Sequence, residues 1–251
     1  VDFGAVPYCG TAPIAAEVWA RWNFDPWLVA ALSLFVLWGL ARVRRDVRRL
    51  RAFGAAQLLL FVAFISPLCA LASALFSARV AHHLLLVAGA APLLAIAFAH
   101  RNAFAEDSRA VSLMTLTAIH AIVLWVWHTP APYALALSND AVYWLMQLTL
   151  LISAWLLWRA VLAPQTSPGP ALLALLATVM QMGMLGAVLV FAPRALFAPH
   201  FGTTASFGLS ELQDQQLAGL LMWVPAMAPY LAVSLVLCGS FLRAHAVTAT
   251  R

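Results

Sequence analysis

Long apolar stretches, rather than any motif, set the limits on what this chain can fold into. A bilayer's hydrocarbon layer is roughly 30 Å thick and takes about 20 mainly apolar residues in helical form to cross. Seven segments qualify, some only with their interfacial flanks: approximately 25–41, 52–71, 78–99, 110–128, 141–161, 171–192 and 216–242. In lipid each backbone N–H and C=O needs a partner within its own segment or a closed barrel, and strands of alternating polarity are absent, so the spans are expected to be helices. Only 9% of the residues are charged and 64% are hydrophobic, where soluble domains carry roughly 25% charged residues. With no internal repeat and no soluble domain of any size, residues 1–251 are expected to form one all-α membrane domain, a seven-transmembrane-helix bundle.

Arginine gives the orientation. The chain has no lysine, and six of its fourteen basic residues lie between Arg42 and Arg51. Basic loops stay in the cytoplasm. Seven spans then put the N-terminus in the periplasm and the C-terminus in the cytoplasm of a bacterial inner membrane. Arg101, Arg109, Arg159, Arg243 and Arg251 fall on the same inner side; Arg21, Arg79 and Arg194 fall outside. The basic balance therefore reports topology, and nucleic acid is not expected as a partner. Residues 1–24 form a periplasmic tail, joined outside by 129–140 and 193–215. Residues 1–10 do not read as a signal peptide. The first residue is Val1, so an initiator or leader is expected ahead of it. No phosphate-binding loop is present, which argues against an ATP-driven pump. The missing lysine excludes a retinal Schiff base.

Several imidazole and sulfur side chains fall in one layer at the outer end of the spans. His82 and His83 lie roughly 6–8 Å into the third span, counted at about 1.5 Å per residue. His128 ends the fourth span. Met184 lies in the outer half of the sixth span and Met222 about two turns into the seventh. Cys9 is in the tail and Cys69 at the outer end of the second span. His120 is mid-membrane and outside this layer. Imidazole suits copper, zinc and iron, while thiolate and thioether favour Cu(I), so His82, His83, His128, Cys9, Met184 and Met222 are the candidate metal ligands. Each has a plain structural reading as well: packing for the methionines, interfacial hydrogen bonding for His128, a disulfide for Cys9. Adjacent His82 and His83 point about 100° apart on a helix, so only one, His83, is expected to face the bundle axis.

The densest signal is Ser210-Glu-Leu-Gln-Asp-Gln-Gln-Leu-Ala-Gly-Leu-Leu-Met-Trp223. Ser210 and Gln213 could form a capping box, and Gly219 permits close helix approach. Asp214, Gln215, Gly219 and Trp223 are read as a structural or partner-facing motif. Pro92, Pro225 and Pro229 are expected to kink their spans.

At these residues the chain resembles the multi-span CtaG family of cytochrome c oxidase assembly factors. The matching pieces, in order, are Trp22-Asn-Phe-Asp-Pro26, Ser66-Pro-Leu68, His83-Leu-Leu-Leu86 with Ala91-Pro-Leu-Leu94, Trp127-His-Thr-Pro130 with Tyr133, and Asp214-Gln215 with Ala218-Gly219 and Met222-Trp223. They cover nearly the whole chain. In one place the sequence departs: Arg79 stands where the family pattern often has a histidine, so a His-x-x-x-His pair is missing. The resemblance implies a non-enzymatic factor that helps deliver Cu(I) from a periplasmic donor to the catalytic subunit of a haem–copper oxidase. The alternatives are a metal-free assembly scaffold, a b-type cytochrome or quinone-reactive subunit, and a small-solute transporter. The last is disfavoured because the inner half offers little polar beyond His120 and Gln181.

Overall fold

The computed structural model describes residues 6–99 and 112–249, and among them there are helices and no strands. The order begins α1 (Pro26–Val43), α2 (Val47–Phe64), α3 (Leu68–Ala74) and α4 (Phe76–Leu84). A π-helical turn, Leu85–Ala90, joins α4 to α5 (Ala91–Ala97). Then follow α6 (Leu113–Trp127), α7 (Pro130–Ser138), α8 (Asp140–Val161), α9 (Pro168–Phe191), α10 (Glu211–Trp223) and α11 (Ala228–Ala249). Arg101, Arg109, Arg251 and the first residues of the expected fourth span lie outside the described residues.

By length and apolarity five helices could cross a membrane: 26–43, 76–97, 140–161, 168–191 and 211–243. The count reaches seven if two bent pairs are single spans. The pair α2 and α3 bends by 43°, and the pair α6 and α7 by 72°. Both bends have chemical causes. At the first, Ser66 Oγ donates to Val62 O (2.6 Å) and Pro67 has no N–H to continue the ladder. At the second, Pro130 opens α7 as its first residue, a position that suits its fixed φ.

Caps fix where the helices start. Asp25 accepts from Trp27 N (2.8 Å) and Leu28 N (3.0 Å), and Asp46 accepts from Arg48 N and Arg49 N. Ser210 and Gln213 form the expected capping box. Pro92 shows its effect one turn back, in the π-helical segment. A π-type bond to Val87 O would have come from residue 92, which has no N–H. Trp158 Nε1 on α8 donates to that carbonyl instead, at 3.0 Å. Pro225 opens a 3-10 turn, Pro225–Met227, that separates α10 from α11.

The span 76–97 is the most enclosed of the candidates. It packs against α2, α8 and α10. By contrast, α1 and α11 lie at the edge and turn Trp27, Leu34, Leu37, Leu235 and Val236 outward. Apolar side chains this numerous would promote aggregation in water and are what acyl chains cover in a bilayer. The helix carrying Arg79, His82 and His83 is thus the central one.

Helices α9 and α10 cross at Gly186 and Gly219. A Cβ on Gly219 would sit 2.6 Å from Gly186 O, so the backbones touch. Gln215 straddles the crossing, donating to Leu189 O (3.1 Å) and accepting from Leu196 N (2.7 Å). Asp214 reaches the other way. Its carboxylate accepts from Phe76 N (2.6 Å), Ser77 N (3.1 Å) and Ser77 Oγ, capping α4. The fragment 210–223 therefore locks α10 to α9 and α4. Trp223 covers Gly186 and is itself part-exposed.

Candidate functional site

The site lies where α4 starts, beneath the N-terminal tail. Arg79, His82 and His83 follow one another at i, i+3 and i+4, so both imidazoles stack one turn beyond the guanidinium on the same side of α4. Both histidines are buried, which differs from the expectation that one would turn away. The reason is that α4 is enclosed on every side. His82 meets Phe64 of α2 edge-on, with ring centroids 5.0 Å apart. His83 meets His128 edge-on at 5.4 Å.

His128 sits at the 72° bend, as the C-cap of α6. Its Nδ1 is 2.7 Å from Leu124 O. A carbonyl can only accept, so Nδ1 carries the proton and Nε2 presents a bare lone pair. That nitrogen is buried and has no hydrogen-bond partner, and the same holds for both nitrogens of His82 and His83. An imidazole that donates one N–H to a carbonyl and keeps the other nitrogen bare is arranged as metal-bound histidines are.

The tail closes the cluster. Cys9 is bonded to Cys69, so its sulfur is not available as a thiolate ligand in this state. The Tyr143 hydroxyl donates to Cys9 Sγ at 3.5 Å, and Tyr8 stacks on Tyr143 at 5.0 Å. Burial raises the Tyr8 phenol well above its ordinary pKa, and Asp25 adds to the shift. On its other side Tyr143 lies against Arg79, whose guanidinium carbon is 5.3 Å from the ring centroid. Gln147, one turn further along α8, is buried with its amide unpartnered.

The methionines divide. Met184 is 51% exposed and faces outward from α9, away from the histidines. A lipid-facing thioether on that side cannot join a site inside the bundle. Met222 is buried on α10, which packs against α4. His120 stands apart, its Nδ1 2.9 Å from Ser153 Oγ. Among the described residues no three His, Cys, Asp or Glu side chains gather closely enough to hold a metal ion. What the geometry offers is a pair, His83 and His128.

Four participants were not singled out as site residues from the sequence. Arg79 was readable by spacing, since it shares a helix side with His82 and His83. Tyr143 and Gln147 were also readable, being one turn apart on α8. His200 carried no local signal. It sits in a loop turn, Ala198–His200, and its Nε2 is 2.6 Å from the Tyr133 hydroxyl. Burial, with Arg79 nearby, pushes its pKa down to about 3.

Residues 34–244 match the family described as cytochrome c oxidase caa3 assembly factor (Caa3_CtaG). No curated protein and no solved structure matches the chain. The matched region takes in the central helix, both bends and the α9–α10 crossing, and the chain belongs to the Caa3_CtaG family of cytochrome c oxidase assembly factors.

Proposed function

We infer that the chain assists copper delivery to the catalytic subunit of a haem–copper oxidase from the periplasmic side of a bacterial inner membrane. Copper is cargo here. Cu(I) arrives from a periplasmic donor, bridges His83 and His128 Nε2, and passes by ligand exchange to histidines of the oxidase subunit. The observation that carries this reading is the bare, buried Nε2 of His128 on a ring 5.4 Å from that of His83, its tautomer set by Leu124 O. Cu(I) accepts few ligands, and a site with few ligands releases its ion readily to a better-furnished acceptor. Ligand exchange of this kind trades one set of copper–nitrogen coordinate bonds for another and leaves the covalent structure of both proteins unchanged, so no enzyme activity is assigned.

Four features support the orientation. The arginine-rich turn after α1 lies 18 residues, about 27 Å, from the end of α1 that meets the tail. Arg49 Nε also donates to Ala97 O (2.6 Å), so the far end of the 76–97 span lies with the arginines, opposite His82 and His83. The disulfide Cys9–Cys69 at the tail end suits an oxidising compartment. Counting each bent pair as one span gives an odd number, which agrees with a tail outside when the arginines stay inside.

The test is complementation. In a host lacking this chain, the His128→Ala variant should insert at normal levels and leave its oxidase short of copper at the catalytic centre. An oxidase fully loaded with copper beside that variant would reject delivery through this site and leave a metal-free scaffold.

A further inference from the structure

Among the described residues no carboxylate pairs with Arg79. Its side chain is 0% exposed, and its nitrogens make no hydrogen bond of ordinary geometry, with only the neutral phenols of Tyr133 and Tyr143 beside them. Its neighbours are the Tyr143 ring, the Tyr133 phenol and the His200 imidazole, and none of them supplies negative charge. Asp214 is the buried carboxylate among the described residues, and it is committed to Phe76 and Ser77. A cation taken out of water without a partner costs far more than ordinary packing returns.

Two further groups near Arg79 offer donors. His82 and Gln147 are buried with unpartnered nitrogens, while the Tyr143 hydroxyl proton is already given to Cys9 Sγ. Donors converging on a fixed positive charge suit an anion. Size is limited as well. Tyr143 and the disulfide-held tail lie over the guanidinium and leave no path for a bulky headgroup. We propose that Arg79, with His82 and Gln147, holds a small monovalent anion of chloride size inside the bundle, beside the His83–His128 pair. Such an ion would also offset the repulsion between Arg79 and a Cu(I) ion one turn away, a consequence that rests on the proposed function.

The anion can be tested without metal. Chloride NMR linewidth is followed in the purified protein in nonionic detergent, with detergent alone as blank. The site predicts excess broadening in the wild type, competed by bromide, kept in Arg79→Lys and lost in Arg79→Gln. Competition by formate would show that a carboxylate can take the same place. His128→Ala should keep the broadening, so a failed copper reading leaves this result standing. Broadening that survives Arg79→Gln would place the anion elsewhere, for instance on the arginines between 42 and 51, and overturn the proposal. If Arg79→Gln does not fold, the wild type alone decides. Its thermal midpoint should be higher in chloride than in gluconate at matched ionic strength, and equal midpoints would overturn the site.

Discussion

Substituting Gly219→Ala should destabilise the bundle by several kcal/mol through one added methyl group. The new Cβ would lie 2.6 Å from Gly186 O, 2.7 Å from Val190 Cγ2 and 3.1 Å from Leu189 Cβ. Ordinary contact begins at 3.4 Å, so the shortfall against Gly186 O is 3.4 − 2.6, or 0.8 Å. The obstructing atom is backbone and cannot rotate away, so α9 and α10 must separate. Overpacking of this kind costs about 1–3 kcal/mol. Separation also stretches the bonds from Gln215 to Leu189 O (3.1 Å) and from Gln216 to Val190 O (3.3 Å). At about 4 Å neither remains a hydrogen bond, and each loss adds about 1 kcal/mol. The expected total is about 3–5 kcal/mol. Gly183→Ala is the control: on the facing helix α9, its Cβ would meet nothing closer than 3.8 Å. Thermal unfolding in detergent, followed by tryptophan fluorescence, should show a large drop for Gly219→Ala and almost none for Gly183→Ala. Equal midpoints for the two variants would refute the close-crossing argument.

Other substitutions test other joints. Asp214→Ala orphans three donors at the start of α4 and should cost at least about 3 kcal/mol, against a smaller loss for Ser77→Ala, which keeps the two backbone bonds; similar midpoints would deny the carboxylate its capping role. The neutral form of His200 is favoured in the fold, with a pKa near 3 against about 6.5 in the unfolded chain. Between these values the unfolded chain binds more protons, so this contribution is complete above about pH 6.5 and is lost as pH falls toward 3. His200→Gln should flatten the pH dependence of the melting midpoint in that window, and an unchanged slope would contradict the assignment. The Cys9–Cys69 bridge spans 60 residues. Its loss is worth about 4 kcal/mol in the chain-entropy account. Thiol labelling of the unfolded chain should add one group before reduction, on Cys238, and three after; three before reduction would remove the bridge.

Much of this fold is written in the sequence because lipid leaves few options. Apolar runs of sufficient length must be helices, and Pro67, Pro92, Pro130 and Pro225 lie where spans bend or change pitch. The capping box at Ser210 was legible because its two residues are three positions apart. The facing of His83 and His128 was not, since it depends on the 72° bend that brings the end of α6 against α4. Periodicity places His82 and His83 about 100° apart on their helix, but it could not show that both directions are covered. Cys9 could be read as ligand or as half of a disulfide, and only the path of the tail across Tyr143 joins it to Cys69. Met184 shares the depth of the histidines, and depth says nothing about which side of α9 turns to lipid. Asp214, Gln215 and Gly219 find their contacts on α4, on α9 and on the loop that follows it, which separation in sequence hides.

The most direct test of copper handling is an anaerobic Cu(I) titration of the detergent-purified protein against a competing chelator, with His83→Ala, His128→Ala and Cys9→Ser run in parallel. The account predicts one tightly bound Cu(I) per chain, lost in both histidine variants and retained in Cys9→Ser. Binding no tighter than in an unrelated seven-helix protein, or binding that survives both histidine substitutions, would contradict it.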